Sequence, residues 1–361
     1  MTTAHFHPLR VQDVRRETAE CVSLAFEVPA ELAELYRYTQ GQYLNVRRTL
    51  DGEDVRRSYS ICSGLDDGEL RVAVKEVPGG RFSTWANQSL RPGDMVEVMP
   101  PEGRFFVPLD ASNARHYLAF AAGSGITPVV SLIKTTLARE PRARFTLVYG
   151  NRTLDAVIFN ETLEDLKDQH LARLALYHVF SRDLQEIELF NGRLDRAKVA
   201  QFLETLIPPA TIDKAFVCGP DTMMDDVRAE LEAQGVPRAN IHLERFGVPL
   251  PRSGAKRAAV RVPAAIEGAS EVTVIVDGAR YRLQLPGVGP SVLDAALKAG
   301  ADLPYACKAG VCCTCRAKLV EGEVRMDANY TLEDAEVNAG FRLTCQSHPV
   351  TKKVVFDYDQ R

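Results

Sequence analysis

Four cysteines set the first chemical constraint on this chain. Cys307, Cys312 and Cys315 follow the spacing C-x4-C-x2-C, and Cys345 comes after a further twenty-nine residues. Plant-type [2Fe–2S] clusters are held by this spacing. Two irons need four thiolates, and three of them can come from one loop wrapped over the cluster, with its backbone N–H groups donating to the sulfurs. Gly310 gives such a loop positive φ and close approach. The fourth thiolate is expected on a strand, Phe341-Arg342-Leu343-Thr344-Cys345, that closes the site. Cys313 lies inside the x2 interval and is expected to turn away from the irons as a buried bystander. A zinc site also takes four thiolates, but its usual sequence signature is two close pairs.

Three further segments have the residue types of anion and ring binding. Arg57-Ser58-Tyr59-Ser60 reads as a strand on which Arg57 and Tyr59 face one way. A guanidinium there can clamp a phosphate, and the Tyr ring can lie along an isoalloxazine; the plainer alternative is an ordinary exposed strand. Pro78-Gly79-Gly80-Arg81-Phe82-Ser83-Thr84 places two glycines and two hydroxyls at a helix start, where free N–H groups and the helix dipole favour phosphate. Gly123-Ser124-Gly125-Ile126-Thr127-Pro128 follows an apolar strand and reads as a glycine turn with Thr127 as N-cap and Pro128 at the first helical position. Such a turn lets a dinucleotide pyrophosphate approach a helix N-terminus; the alternative is a plain turn. Cys218-Gly219-Pro220 stands near the end of the same region, and Cys218 alone is equally a buried hydrophobe.

The elements that must position these residues fall into three regions. The 361 residues exceed what one hydrophobic core supports, so two or three domains are expected. Residues 1–109 show short alternating runs, Val22–Phe26, Tyr43–Val46, Arg71–Lys75 and Met95–Val98, several of them set off by turns, which predicts a small antiparallel β-barrel. In 110–248, strands Tyr117–Ala122, Phe145–Gly150, Leu174–Phe180, Ala215–Cys218 and Ile241–Phe246 alternate with helices near Pro128–Arg139, Asn160–Lys167, Ala197–Thr205 and Thr222–Gln234, predicting an α/β doubly wound parallel sheet. Residues 249–268, rich in Pro and basic side chains, read as a linker, and 269–361 open with a hairpin through Asp277-Gly278. A net charge of −4 argues against a nucleic-acid binder. No apolar run reaches the ~18 residues of a membrane span, and the N-terminal segment lacks the apolar core of a signal peptide. With five of eight cysteines gathered at 307–345, metal binding in a cytoplasmic protein is expected rather than a disulfide framework.

Taken in order, Arg57-x-Tyr59-Ser60, Gly79-Gly80-x-x-Ser83, Gly123-x-Gly125-x-Thr127-Pro128 and Cys218-Gly219-Pro220 resemble the ferredoxin–NADP reductase superfamily. The C-terminal cysteine pattern narrows the resemblance to oxygenase reductases with flavin, nucleotide and ferredoxin domains in that order. Tyr149–Thr153, Met223–Asp226, Ile241–Phe246 and Ala301–Lys308 are similar to the reductase subunits of phenylacetyl-CoA epoxidases (ring 1,2-monooxygenases); the reductases of Rieske-type steroid 9α-hydroxylases share the layout. The resemblance implies an α+β, β-grasp ferredoxin domain at 269–361, and FAD, a [2Fe–2S] cluster and NADPH, in preference to NADH, as cofactors. It implies an electron path from NADPH through FAD and the cluster to a multisubunit di-iron oxygenase. Arg57 would bind the flavin pyrophosphate, helped by Ser58, Gly80, Ser83 and Thr84. Tyr59 would pack on the flavin, with Ser60 near its N5. Gly123, Gly125 and Thr127 would cradle the nicotinamide dinucleotide, and Cys218 would approach the nicotinamide. Glu244 and Phe246 would flank the other flavin face. Ser181 and Arg182, with Arg152 nearby, would hold the NADPH 2′-phosphate; the alternative for this pair is a solvated loop. Residues 269–361 carry twelve Asp and Glu against eleven Lys and Arg, so a charge-steered docking face is not implied. A direct oxidoreductase for a small acceptor and a non-enzymatic iron–sulfur redox sensor are the other readings of these motifs; the sensor would have no need of a nucleotide-binding sheet.

Overall fold

The computed structural model describes residues 5–247 and 268–360. The linker expected at 249–268 therefore lies, apart from Gly268, outside the described residues. Two compact units divide the chain, the first made of most of residues 7–245 and the second containing everything described from Phe246 onward.

In the first unit, six antiparallel strands form the barrel: β1 (His7–Thr18), β2 (Cys21–Glu27), β3 (Tyr43–Leu50), β4 (Glu53–Ser60), β5 (Leu70–Lys75) and, after helix α1 (Arg81–Gln88), β6 (Met95–Val98). Their order is β4-β3-β6-β1-β2-β5. An Ile61–Val72 bridge joins the end of β4 to β5 and closes the sheet on itself, which removes the exposed edges. β1 stands outside the runs picked out by alternation, because only Leu9 and Val11 alternate cleanly inward along its twelve residues. Leu9, Val22, Leu24, Val46, Val72 and Val98 fill the barrel. The two-residue turn Asp51-Gly52 joins β3 to β4 with φ of 51° and 79°, the conformation this dipeptide tolerates.

The same unit contains a parallel sheet of β7 (His116–Ala122), β8 (Arg144–Asn151), β9 (Leu174–Phe180), β10 (Lys214–Cys218) and β11 (Ile241–Glu244), in the order β11-β10-β7-β8-β9. Helices α2 (Ile126–Arg139), α3 (Asn160–Gln169), α4 (Arg196–Thr205) and α5 (Asp221–Ala233) connect the strands. Two separate buried clusters, one including α2 and α3 and the other α4 and α5, cover the two faces of the sheet. β7 is central, with β8 and β10 on either side, so the strand order reverses there. Ligands of such sheets bind in the crevice beyond the strand C-termini at this point. Barrel and sheet are fastened together: Ser131 Oγ donates to Ser63 O at 2.7 Å, Lys134 pairs with Asp67 at 2.7 Å, and Phe105 packs edge-on to Phe216.

The second unit has a mixed sheet of β12 (Ala269–Val276), β13 (Ala279–Pro286), helix α6 (Val292–Lys298), β14 (Arg316–Glu321), a short β15 (Val324–Met326), α7 (Asp334–Asn338), β16 (Phe341–Leu343), β17 (Ser347–Pro349) and β18 (Lys353–Asp357). The main sheet runs β13-β12-β18-β14-β16, with β12 and β18 parallel, and β15 pairs with β17. Val292, Leu293 and Ala296 of α6 enter its core, giving the α+β, β-grasp arrangement. The expected hairpin forms at Asp277 and Gly278, whose φ are 49° and 75°.

Candidate functional site

The loop before β14 wraps tightly because Lys308, Gly310 and Cys313 adopt φ of 51°, 76° and 58°. A Cβ at Gly310 would lie 3.1 Å from Ala328 O, so the loop passes close against the next chain segment. Ala309 N and Cys312 N donate to Cys307 Sγ at 3.3 and 3.4 Å, and Cys307 N donates to Cys312 Sγ at 3.4 Å. Cys312 is the neighbour that acts most strongly on the Cys307 thiol, and Cys315 on the Cys345 thiol. Among the described residues, no three His, Cys, Asp or Glu side chains converge on one metal ion. The Cys312 thiol, and after it the backbone N–H groups, hold Cys307 below the ordinary thiol range, and a thiolate is the form that ligates iron.

Cys345 departs from expectation. β16 ends at Leu343, and Cys345 sits on the 3-10 turn Thr344–Gln346. The turn forms because Thr344 bonds Cys315 O through both its N–H, at 3.2 Å, and its hydroxyl, at 2.9 Å, tying the fourth cysteine to the third. Cys313 does turn aside, its Sγ 3.2 Å from Thr331 Oγ1, but it is half-buried rather than buried. Cys307 is the exposed member of the four.

On β4, Arg57 is exposed and, among the described residues, donates to its neighbour's carbonyl, Arg56 O, at 2.7 Å; Ser58 and Tyr59 are half-buried and Ser60 is buried. The Tyr59 ring rests on Phe82, with centroids 5.5 Å apart, and Phe82 on Trp85. Gly80 is the N-cap of α1, preceded by Gly79 at φ 73°. Ser83 does not point into a cradle. Its hydroxyl accepts from Val77 N and donates to Gly80 O, both at 3.1 Å, so it ties the turn together. Thr84, half-buried one residue on, keeps its hydroxyl outside this network.

Beyond β7, Gly123–Gly125 form a 3-10 turn that runs directly into α2. Thr127 is therefore not the N-cap: α2 begins at Ile126, and the Thr127 hydroxyl donates back to Ser124 O at 3.0 Å. Gly123 is left-handed at φ 53°, but Gly125, at φ −61° and ψ −11°, is already right-handed helical and serves as the N-cap, which puts the helix start two residues ahead of Pro128. A Cβ at Gly125 would meet Cys218 O at 2.0 Å, so the turns after β7 and β10 touch backbone to backbone. Tyr149 donates to Gly123 O at 2.9 Å. Cys218 is buried and pairs in register with Glu244. Burial raises the Cys218 thiol well above its ordinary range and the Glu244 carboxyl to about 8. β11 stops at Glu244, short of the expected Phe246, because Arg245 reaches back to Asp221 and Asp225 at 2.6 and 2.7 Å; Phe246 is 49% exposed.

Lys75 is a further residue at the glycine turn, one to which the sequence alone assigned no role. Its Nζ lies 4.0 Å from where a Gly123 Cβ would stand, facing the glycine turn, with Glu20 at 3.7 Å. In sequence it merely ends an alternating strand, and only closure of the barrel against the sheet brings it to the crevice.

The loops after β8 and β9 continue the sheet's pairing: Ser181 N donates to Asn151 O at 3.0 Å and Arg182 N to Arg152 O at 2.9 Å. Arg152, Ser181 and Arg182 are all exposed, and neither guanidinium forms an ion pair among the described residues.

Comparison with known proteins bears on the same regions. The oxidoreductase FAD-binding domain model matches residues 8–107, the oxidoreductase NAD-binding domain model 120–229, and the 2Fe-2S iron-sulfur cluster binding domain model 274–350. The chain is 46% identical to a subunit of the 1,2-phenylacetyl-CoA epoxidase of Escherichia coli (strain K12), across 100% of this chain and 99% of that one. It belongs to the FAD- and [2Fe–2S]-containing reductases of oxygenase systems. Another such reductase, the ferredoxin reductase component of 3-ketosteroid-9-alpha-monooxygenase from Rhodococcus rhodochrous, is 34% identical across 97% of this chain and 96% of its own. Phthalate dioxygenase reductase shares the fold, with a TM-score of 0.58 and 24% identity over 98% of both chains. As a reductase of this family the protein uses FAD, NAD(P)H and a [2Fe–2S] cluster. Among the described residues no helix is long and apolar enough to cross a membrane.

Proposed function

We propose that this reductase serves a phenylacetyl-CoA epoxidase, delivering electrons from NADPH to a multisubunit di-iron oxygenase in the cytoplasm. The observation that carries the reading is the 46% identity to a component of that epoxidase along the whole of both chains, against 34% for the steroid hydroxylase component. When bound, FAD accepts a hydride's electron pair and the cluster takes electrons one at a time, so the pair converts two-electron to one-electron traffic. The protein's part is to fix their order and distance.

The domains are proposed as 1–109 for FAD, 110–248 for nucleotide and 269–361 for the cluster, joined by 249–268. Arg57 would hold the flavin pyrophosphate, with the Gly79-Gly80 turn and Thr84 beside it and Ser83 keeping the turn closed. Tyr59, already seated on Phe82, would support the flavin ring system, with Ser60 beside it. Gly123, Gly125 and Thr127 would shape the dinucleotide crevice, Lys75 would meet its pyrophosphate, and Cys218, Glu244 and Phe246 would border the nicotinamide and flavin. Arg152, Ser181 and Arg182 would take the 2′-phosphate, which two unpaired guanidinium groups on adjoining loops suit. Cys307 and Cys312 would hold one iron, and Cys315 and Cys345 the other. The exposed Cys307 marks where electrons leave. Lys308 next to it and Arg316 next to Cys315 are paired with Asp294 and Glu336, so docking there would rest less on free charge than on fit.

The test mixes this protein with the di-iron epoxidase components, phenylacetyl-CoA and NADPH and measures the epoxide-derived product. Product formation with those components, and none when a steroid-ring Rieske oxygenase and its substrate replace them, is the expected result. The reverse pattern would reject the epoxidase reading.

A further inference from the structure

We infer that Asp183 is a positioning residue for coenzyme selection, holding the two arginine-bearing loops in register. The inference rests on the reading of Arg152, Ser181 and Arg182 as the 2′-phosphate site. The regular ladder between β8 and β9 ends at the pair Asn151–Phe180. Two backbone bonds carry the pairing one residue further, to Arg182 N and Arg152 O. Past that point the chains part, and the link between the loops is a side chain: Asp183 Oδ2 accepts from Leu154 N at 2.8 Å.

Leu154 opens the 3-10 turn Leu154–Ala156, whose own N-cap, Thr153, makes no side-chain capping bond. Asp183 thus supplies from the neighbouring loop the cap that the turn lacks. Its own loop is fixed on the far side as well. Gln185 N donates to Asn191 Oδ1 at 2.8 Å, Asn191 Nδ2 donates to Gln185 O at 2.9 Å, and Gln185 Nε2 donates to Phe190 O at 3.1 Å. With residues 181–185 held at both ends, the carboxylate transmits their position to the loop that carries Arg152.

The geometry also separates two roles that sequence leaves tangled. A carboxylate near the adenosine ribose is the usual device for binding the 2′-hydroxyl of NAD, and an arginine the device for the 2′-phosphate of NADP. Asp183 directly follows Arg182, so on sequence it could oppose the arginine. In the structure its Oδ2 is engaged by a backbone N–H, and neither Arg152 nor Arg182 pairs with it. It therefore holds the loops that carry the guanidinium groups without forming an ion pair to either.

The test uses the full-length holoprotein and compares NADPH- and NADH-dependent ferricyanide reduction, with FAD absorbance and melting temperature as checks of folding. Asp183→Ala should raise the KM for NADPH about tenfold while kcat and the NADH parameters stay within about twofold. Asp183→Asn keeps an acceptor oxygen and should restore the KM to within about threefold of wild type. Leu154→Pro removes the donor and leaves the carboxylate; the extended Thr153, at φ −142° and ψ 167°, accepts a following proline. It should reproduce the NADPH-selective rise even if Asp183→Ala fails to fold. Arg182→Ala is the control for the site itself. If it leaves NADPH and NADH affected alike, the 2′-phosphate reading falls whatever Asp183 does. If Arg182→Ala is selective while Asp183→Ala and Leu154→Pro are silent, the positioning role is wrong. If Asp183→Ala and Asp183→Asn both favour NADPH, the carboxylate is a ribose ligand and the inference is overturned.

Discussion

Replacing Gly125 by alanine should force apart the two turns after β7 and β10, which border the proposed nucleotide crevice. The new Cβ would lie 2.0 Å from Cys218 O, 2.5 Å from the Cys218 carbonyl carbon and 2.9 Å from Gly219 N. All three are backbone atoms, so no side-chain rotation relieves the contact. Gly125 has φ −61°, which alanine adopts freely, so the whole effect is steric. Reaching a tolerable separation moves the turns apart by about 1 Å, and overpacking of this kind costs about 1–3 kcal/mol. In a unit of this size each kcal/mol lowers the melting temperature by about 2–4 °C. Function should suffer more, since a ~1 Å misplacement of reacting groups costs about 10²-fold in rate. Gly123→Ala is the comparison: its φ is 53°, but the nearest atom to a new Cβ is Lys75 Nζ at 4.0 Å. It should lose about 1–2 kcal/mol to left-handed backbone strain and keep the turns together. Anaerobic stopped-flow measurement of flavin reduction by NADPH, at saturating coenzyme, reads the difference. Gly125→Ala should be slowed about 10²-fold and Gly123→Ala less than about tenfold. Equal slowing in the two, or a wild-type rate and melting temperature in Gly125→Ala, would refute the backbone-contact argument.

Cys312→Ser should lose most of the visible iron–sulfur absorbance and the reduced-state EPR signal, while Cys313→Ser, whose Sγ faces Thr331, keeps both; equal loss would reject the ligand assignment. Glu244, raised by burial from 4.5 to about 8, keeps in the folded state a proton that the unfolded chain releases. Its contribution is therefore fully present below about pH 4.5 and is lost as pH rises through about 8. Urea midpoints should fall more steeply between pH 5.5 and 8.5 in the wild type than in Glu244→Gln, and parallel profiles would count against a half-buried neutral carboxyl. A chain ending at Gly247 retains the barrel and the parallel sheet and should bind FAD and reduce ferricyanide with NADPH, yet give no product with the oxygenase; loss of FAD binding would show that the first unit does not fold alone.

The sequence by itself determined what depends on neighbours along the chain. The spacing of Cys307, Cys312, Cys315 and Cys345 pointed to a [2Fe–2S] cluster, because one loop can present three thiolates at fixed intervals. Apolar periodicity located β7 to β11 and α2 to α5 to within a residue or two at most of their ends, and Asp277-Gly278 marked its hairpin, because strand, helix and tight turn each impose a local period or φ. Tertiary structure decided what depends on groups far apart in the chain. It brought Gly125 against Cys218 and Lys75 against Gly123, tied the turn of Cys345 to Cys315 through Thr344, and laid Asp183 on Leu154. It also corrected local readings. The Ser83 hydroxyl is claimed by Val77 and Gly80, Thr127 lies inside α2 because Gly125 already has helical backbone and caps the helix, and Thr344 bends the chain at Cys345 by bonding Cys315. A polar atom's partner is whichever group the packed fold puts within about 3 Å, and that choice among distant groups leaves no periodic trace in the sequence.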